Sequence, residues 1–340
     1  RPGGEVRRLT NDLNSYHALS IATDGRQFVT VQRTSKAGIS VGLGTEPGTP
    51  LPSQPSEENG TDGMAWLGND RVLFSSEPGT AAELWSARLD GSDTRALTGG
   101  LPLAVFPSGS ADGKVVVFTS AEGGGIHVWR ADADGGNRRQ LTHGELDLRG
   151  QITADGKWVV YFSLGKEGAG IYKVSTEGGQ PVKVSDAHGE WLALAPDGKR
   201  FADSTFDKSR QQLQAEIVSM DDGKVLQKVD LPVNQFWWSP DGRSLQYVET
   251  NGGVSNIWEQ PLEMASALPR LPLPPEITPP IPPPPPLPGG APPVAKSGPR
   301  QVTHYTSDHI FNFAWSPDGK RLALSRGSTS SDVILLSTRK

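Results

Sequence analysis

The chain has 340 residues, 35% of them apolar, no Cys, and a formal net charge of −5 at pH 7. So small a charge argues against a nucleic-acid surface, which needs clustered Lys and Arg, and the lack of Cys excludes disulfide bonds, thiol catalysis and Cys-ligated zinc. No run approaches about 18 apolar residues, so the sequence predicts no membrane-spanning helix.

A polar turn recurs along the whole chain. Asp-Gly pairs begin at residues 24, 112, 155, 197, 241 and 318, and a degraded copy has Asn69 in the same position. The intervals between these turns are 45, 43, 43, 42, 44 and 77 residues. A period of about 40–45 residues with several strands in each repeat is typical of a β-propeller.

Each repeat contains four predicted strands. In the third repeat they are Leu103–Phe106, Val115–Phe118, Ile126–Trp129 and Arg139–Thr142. Asp-Gly pairs readily adopt the positive φ angles that tight hairpin turns need, and the β-branched and aromatic runs between them favour strands. The pattern predicts an all-β fold in which every blade is a four-stranded antiparallel sheet.

The two ends of the chain complement each other. The last repeat stops after its third predicted strand, Val333–Leu336, while Val6–Thr10 resembles the fourth strand Arg139–Thr142. Pairing of Val6–Thr10 with Val333–Leu336 would close the ring and protect an exposed edge. We therefore predict a single domain, residues 1–340, with seven blades. Six blades would require that residues 64–97, which hold three good strands, form no blade.

The longest interval contains a proline-rich segment. Residues 269–299 hold 15 of the 29 prolines, five of them consecutive at 282–286. Proline has no backbone N–H to donate, so such a segment favours polyproline II conformation. It falls between the third and fourth predicted strands of the sixth blade. We therefore expect a surface insertion rather than a domain boundary.

The sequence begins Arg1-Pro2-Gly3-Gly4, with neither an initiator Met nor a signal-peptide pattern. We expect a fragment of a longer protein, fused to a further domain on its amino-terminal side, or a processed product. The lack of Cys suits an extracytoplasmic or periplasmic domain and leaves a cytoplasmic location open. We expect a monomer.

The repeat unit resembles that of TolB-like propellers. The stretches Trp315–Ala323 and Trp238–Arg243 carry the likeness, which covers nearly the whole chain except the proline-rich segment. More narrowly, Leu9–Asn14 and Ser331–Leu335 resemble propellers of large bacterial signalling proteins of the acidobacterial type. That resemblance implies a propeller carboxy-terminal to a Ser/Thr kinase or winged-helix DNA-binding domain. TolB has six blades, so seven blades depart from its pattern.

Motifs for catalysis are missing from the sequence. It contains no Gly-x-Ser-x-Gly, no His-Glu-x-x-His, no Walker loop and no kinase signature. Asp132-x-Asp134-Gly135 is similar to the start of a calcium loop but lacks the closing Glu. His17, His188 and His309 precede first strands at unequal distances from the next turn, which favours solvated loop positions. We expect no catalytic residue, no metal and no cofactor.

Alignment of the first strands on their turns nominates a binding site. First strands surround the channel of a propeller, so polar and aromatic residues early in them should ring one of its mouths. Six residues before the turn position stand Ala18, Gly63, Phe106, Arg149, Trp191, Gln235 and Asn312. From this position and the one before it, we predict the ligand-binding residues Arg149, Trp191, Gln235, Asn312, Glu190, Asp62 and His17. The alternative is a water-filled channel with ordinary solvated side chains.

Three functions fit this sequence. We expect a non-enzymatic sensor of a bacterial signalling protein that binds an unidentified small ligand or protein partner at the channel mouth. A hydrolase or lyase acting there with Glu190, Asp62 and a His is the second hypothesis, since acid and base groups must lie close together. A TolB-like periplasmic protein-interaction scaffold, with the proline-rich segment bound by an aromatic groove, is the third.

Overall fold

A computed structural model of the chain describes residues 15–23, 27–77, 81–101, 103–165, 168–186, 191–263 and 298–337. These ranges contain 25 β-strands and no α-helix. The all-β class that the turn spacing predicts is confirmed. Within the same ranges, no helix has the length and apolar character needed to cross a membrane.

Five sheets are each built from four consecutive antiparallel strands. Sheets 1 and 2 consist of β4 (Asn59–Leu67), β5 (Arg71–Ser76), β6 (Glu83–Arg88) and β7 (Arg95–Ala96), then β8 (Ala104–Gly109), β9 (Val115–Ser120), β10 (His127–Asp132) and β11 (Arg139–Gln140). Sheets 3 and 4 consist of β12 (Leu146–Ile152), β13 (Trp158–Gly165), β14 (Gly168–Ser175) and β15 (Val182–Ser185), then β16 (Leu192–Leu194), β17 (Arg200–Asp207), β18 (Gln212–Ser219) and β19 (Val225–Asp230). Sheet 5 consists of β20 (Trp237–Trp238), β21 (Ser244–Asn251), β22 (Val254–Pro261) and β23 (Arg300–Gln301).

Sheet 6 unites strands from both ends of the described chain. Its members are β1 (Ser15–Ile21), β2 (Gln27–Leu43), β3 (Thr49–Pro50), β24 (His309–Trp315) and β25 (Arg321–Ser337). They lie in the order β1, β2, β25, β24, and β3 also pairs with β2. The amino-terminal and carboxy-terminal strands are therefore neighbours in one sheet.

The repeated Asp-Gly turns are held by side-chain contacts within each turn. In four sheets a hydroxyl group donates to the Asp two residues later, over 2.6–2.7 Å, in the pairs Ser110–Asp112, Thr153–Asp155, Ser239–Asp241 and Ser316–Asp318. The Ser110 hydrogen bond lowers the pKa of the Asp112 carboxyl group and so favours its charged form. The following Gly113 adopts a φ of 75°. Turn formation thus accounts for these carboxylates.

The six sheets follow one another around a central channel. The first strands of the sheets (β4, β8, β12, β16, β20 and β24) are innermost, and residues in or beside all of them line one cavity. Neighbouring sheets contact each other in cyclic order, with β24 against β4. The hydrophobic core lies in layers between sheets, such as the layer that joins Phe236 and Leu245 of sheet 5 to Ala202 and Ile217 of sheet 4.

The predicted seventh blade does not form a separate sheet. β2 and β25 are each 17 residues long and pair along their whole length, from Gln27 with Ser337 to Leu43 with Arg321. The prediction of seven blades is therefore wrong for the described residues, which form six sheets. The reason lies in residues 325–331, taken as the connection between two strands. They hold no Asp-Gly pair and no Pro, and the pairing continues through them.

Two predictions concern segments outside the described residues. Val6–Thr10 is one, so its pairing with Val333–Leu336 stays a prediction; in the structure β25 pairs there with residues 28–31 of β2. Residues 264–297 are the other. β22 ends at Pro261, β23 begins at Arg300, and the two strands pair, so the proline-rich segment connects neighbouring strands of sheet 5. Its polyproline conformation stays a prediction.

Candidate binding site at one mouth of the channel

The aligned sequence position coincides with a recurring irregularity of the innermost strands. Regular pairing of β4, β8 and β12 with the next strand is interrupted there, and that of β24 is interrupted one residue earlier, at Phe311. Phe106 and Arg149 have positive φ angles of 52° and 57°, and Gly63 has a φ of 132°. A β-bulge turns side chains away from the alternation of a regular strand. The bulges therefore set the direction of the side chains at this end of the channel.

Five side chains from five consecutive sheets form a continuous stack, which we call the aromatic belt. The Arg149 guanidinium lies 4.0 Å from the centre of the Phe106 ring on one side and 4.4 Å from the Trp191 ring on the other. Trp191 meets Trp237 edge-on at 5.1 Å, and Trp237 meets Phe313 at 4.3 Å. A cation over an aromatic face is attracted by the ring quadrupole, so the belt holds Arg149 in place.

Backbone contacts fix the belt to the sheets. The Trp191 N–H donates to the Ser204 hydroxyl at 2.9 Å, and its indole Nε1 donates to the Phe236 carbonyl at 2.6 Å. Trp191 is therefore bonded to the next strand of its own sheet and to the neighbouring sheet. The Arg149 backbone N–H donates to the Thr119 hydroxyl at 3.1 Å. The side chains of Arg149 and Trp191 thus each leave a backbone that is hydrogen-bonded to a neighbouring strand.

Sheet 1 contributes no aromatic side chain to the belt. Its aligned residue is Gly63, where a Cβ atom would lie 2.7 Å from Cδ of Pro107 and 2.8 Å from Cα of Phe106. The belt is consequently open at this sheet, and the backbone of sheet 1 packs closely against Phe106. Asp62, one residue earlier, is exposed to solvent.

Two carboxylates give this open side a distinct electrostatic character. Burial by the surrounding protein raises the pKa of Asp62, and the Arg149 charge lowers it. The Asp62 side chain is exposed to solvent, so the surrounding protein shields its carboxyl group from water on one side only. Burial also raises the pKa of Glu77, with further increases from Asp62 and Glu58. The open side is thus acidic and faces the belt cation.

The predicted site residues divide into three groups. Arg149 and Trp191 touch each other, and Asp62 interacts electrostatically with Arg149. Gln235 is exposed beside sheet 5. Asn312 is 7% exposed and accepts the Phe313 N–H at 2.8 Å, so it belongs to the wall rather than to an open surface.

The third group lies wholly or partly beyond the described residues. Glu190 falls outside them, and of His17 only the backbone is described, paired with Val31. Their predicted roles stay predictions.

Sequence reasoning missed Phe106, Trp237 and Phe313. Phe106 stands in the aligned position itself, and Trp237 stands in a position that the alignment did not consider. Phe313 stands in an apolar column expected to pack between blades, and it is fully buried in the core layer between sheets 5 and 6. The adjacent pair Trp237-Trp238 was an available signal, because neighbouring residues of a strand point to opposite faces and only one can enter the same layer. Trp238 does enter the core layer, whereas Trp237 joins the belt.

Beneath the belt lies a cavity of about 370 Å³ that all six sheets surround. Trp191 and Trp237 border it at the belt end, and Ala154 and Pro240 border it at the end formed by the Asp-Gly turns. Its size lies near the lower limit of about 300–1,000 Å³ for ligand pockets.

The described residues contain no group of three or more His, Asp or Glu side chains that could hold a metal ion. The calcium-like loop is a turn. Asp134 accepts the Gly136 N–H at 2.8 Å, and Asp132 accepts the Asn137 side-chain amide at 2.7 Å. These two carboxylates are thus engaged in local hydrogen bonds.

Comparison with known proteins identifies the fold. The family model of the dipeptidyl peptidase IV N-terminal region matches residues 71–211, and no curated protein matches. The solved structure of TolB from Acinetobacter baumannii matches with a TM-score of 0.51 and 16% identity over 87% of this chain and 66% of that one. The structure of putative TolB from Agrobacterium tumefaciens matches with a TM-score of 0.56 and 15% identity, over 86% of this chain and 99% of that one. A chain of a nidogen/laminin complex matches with a TM-score of 0.50 and 12% identity, over 68% of this chain and 91% of that one.

The present chain therefore spans 66% of the length of the Acinetobacter TolB. At sequence identities of 12–16%, these structural matches show a similar fold and nothing about function. Together with the six antiparallel sheets around one channel, these matches establish that the chain is an all-β, TolB-like propeller.

Proposed function

We propose that this propeller is a non-enzymatic binding module that takes a peptide segment or small ligand at the aromatic belt. The observation that carries the proposal is the Arg149 guanidinium between Phe106 and Trp191 at the rim of a cavity. The proposal includes a role as the extracytoplasmic sensor domain of a larger bacterial signalling protein.

The geometry of the belt suits recognition. Stacking on both faces restricts the rotamers of Arg149 before any ligand arrives, so less conformational entropy is lost on binding. Aromatic and Arg side chains are also the residue types that carry most binding energy at protein interfaces. Beside them, the Asp62 and Glu77 carboxylates provide a negative surface. The mouth thus combines a cation, aromatic faces and acidic groups over a short distance.

Selection of peptides from a random display library on the immobilised chain tests the binding role. We expect selected peptides whose affinity falls about tenfold or more in Arg149→Lys, because Lys cannot replace a stacked planar guanidinium. Arg326→Lys is a matched control, since the Arg326 guanidinium lies 3.8 Å from the Tyr305 ring away from the belt. Selected peptides that bind the two variants equally well would contradict the proposal.

The sensor role has a separate test. The gene that encodes the chain should continue upstream of Arg1 with a kinase or winged-helix domain. A coding sequence without any further domain would contradict the sensor role and leave the binding role unaffected.

A further inference from the structure

We infer that the channel beneath the aromatic belt accepts an uncharged, apolar group, such as an aromatic or aliphatic side chain of a bound peptide, and rejects ionic groups. This inference rests on the proposed function and adds the chemical class of the inserted group.

The wall of the channel is rich in aromatic residues, and the described residues that form it are uncharged. Among the described residues that line the cavity, none is Asp, Glu, Lys, Arg or His. Four are proline, and five are the tryptophans Trp66, Trp191, Trp237, Trp238 and Trp315. More than half of the nine tryptophans in the chain therefore border this cavity. Trp66 and Trp238 are also packed in the layers between sheets, whereas Trp191, Trp237 and Trp315 are partly exposed.

The polar side chains of the wall are already hydrogen-bonded to the protein. Gln151 donates to the Leu192 carbonyl at 2.6 Å and accepts the Leu194 N–H at 2.9 Å. The Ser108 hydroxyl accepts the Ile152 N–H at 3.0 Å. Thr153 and Ser316 donate to the carboxylates of their own turns. An ion in the channel would have to compete for these groups.

Most indole N–H groups of the channel are engaged as well. Trp66 donates to the Ala314 carbonyl and Trp238 to the Ala193 carbonyl, both at 2.9 Å. Trp315 donates to Gln246 at 2.7 Å, and Trp191 is bonded to Phe236. These bonds leave ring faces and edges as the surface offered to a ligand.

Among the described residues, charged side chains lie at the two ends of the channel and not along its wall, with the carboxylates of Asp155 and Asp318 in the turns at the far end. Arg149 belongs to the belt, and Asp62 interacts with it. A charged group that passed the belt would lose its hydration without meeting a compensating charge, which is strongly unfavourable. A neutral apolar group loses little by leaving water and gains contact with the rings. The cavity should therefore bind uncharged groups more tightly than charged groups of the same size.

Three probes that share one ring test this selectivity. Benzamide is neutral, benzoate is an anion and benzylammonium is a cation. We expect Trp fluorescence titration to give benzamide a dissociation constant about tenfold or more below those of the two ions. The titration is repeated with the Arg149→Gln variant, in which benzoate is no longer attracted by the Arg149 charge at the channel mouth. An ion that binds within about threefold of benzamide in both proteins would overturn the inference.

A designed charge provides a second arm. Ala154 is exposed and borders the cavity at the turn end. Ala154→Glu should strengthen benzylammonium binding about threefold to tenfold, because it adds a carboxylate at the border of the cavity, whereas the neighbouring Asp155 carboxylate is engaged by Thr153. Ala154→Gln, of nearly the same volume, should not. Equal benzylammonium affinity in the two variants would also overturn the inference.

The two proposals fail in different ways. A peptide selection without Arg149-dependent binders counts against the belt as the binding site. Equal affinity for charged and neutral rings counts against the uncharged insertion alone, and leaves a binder selected at the belt in place.

Discussion

At the scale of single residues, the channel mouth combines backbone geometry with side-chain chemistry. Arg149 and Phe106 leave their strands at bulges with positive φ angles, and strained residues of this kind often occur at functional sites. Their side chains then meet across two sheets. The irregular backbone is what brings residues of different sheets face to face.

Replacement of Asp62 by Asn should stabilise the protein at neutral pH. Burial raises the pKa of Asp62 above the ordinary value of 3.8, so the folded state holds this proton more tightly than the unfolded state. Stability is therefore lost as the pH rises from 3.8 through the raised pKa, and the penalty persists above it. Asn removes the penalty, although it also loses the attraction to Arg149.

Thermal unfolding of both proteins between about pH 3 and pH 8 measures this effect. The gain in melting temperature of Asp62→Asn should be present at pH 7 and vanish below 3.8, where both states of the wild type are protonated. A melting temperature of Asp62→Asn below that of the wild type at pH 7 would contradict the account.

Replacement of Gly63 by Ala should destabilise the fold by about 1–3 kcal/mol, because the added Cβ is strained and crowds the neighbouring sheet. The positive φ of 132° and the backbone of Phe106 at 2.8 Å both oppose a side chain. Gly124→Ala is the control, since its φ is 87° and nothing lies within 4 Å of the added atom.

Urea denaturation gives the free energy of unfolding of both variants. The Gly63 variant should lose clearly more stability than the Gly124 variant. Equal losses would show that close approach between sheets 1 and 2 is unimportant.

Two of the five belt residues were predictable from sequence, for a physical reason. Arg149 and Trp191 were found because equivalent residues of a repeat take equivalent places around the axis. Trp237 was not found because its position was not among those aligned, and Phe313 was not found because its position was assigned to packing. The ring contacts of both depend on three-dimensional spacing. The burial of Asn312 was likewise invisible in an alignment that records only position.

At the scale of elements, the paired strands β2 and β25 distinguish this chain from a simple series of repeats. In the inner part of sheet 6, β2 pairs with β3 and residues 321–327 of β25 pair with β24. In the outer part, residues 27–33 of β2 lie between residues 331–337 of β25 and β1. Several apolar side chains of this outer part of sheet 6 are exposed, including Leu19 of β1 and Val333 and Leu335 of β25. The continuous pairing depends on small residues where the two backbones come close.

Replacement of Gly327 by Ala should disrupt this pairing. Its Cβ would collide with the Lys36 carbonyl oxygen on the neighbouring strand, and we expect a loss of about 1–3 kcal/mol or more in the free energy of unfolding. Gly38 pairs with Arg326, the residue before Gly327. The Cβ atom added by Gly38→Ala would meet only the Gln54 side chain, at 3.7 Å. That variant should stay within about 0.5 kcal/mol of the wild type.

The comparison also discriminates between six sheets and seven blades. If residues 325–331 formed a connection between two separate strands, Gly327→Ala would be as harmless as Gly38→Ala. Sequence reasoning implied such a connection only by starting a separate strand at Val333, after a segment of small residues such as Ser and Gly. In the structure these small side chains permit uninterrupted pairing of β2 with β25. Composition alone does not distinguish such a continuous strand from a turn between two strands.

At the scale of the whole molecule, the fold class was predictable and the sheet count was not. A period near 43 residues specifies repeated antiparallel sheets around an axis. The number of sheets depends on how the two ends of the chain combine, which is a long-range pairing that no local pattern encodes. The six sheets of the described chain together enclose the channel.

The nine tryptophans allow the location of binding to be measured directly. Five line the channel, whereas Trp85, Trp129, Trp158 and Trp258 do not. The chain is labelled with 5-fluorotryptophan, its ¹⁹F resonances are assigned by single Trp→Phe variants, and the tightest selected peptide is added. The account predicts that the signals of Trp191 and Trp237 shift while those of the four outer tryptophans stay in place. Shifts confined to the outer tryptophans would contradict it.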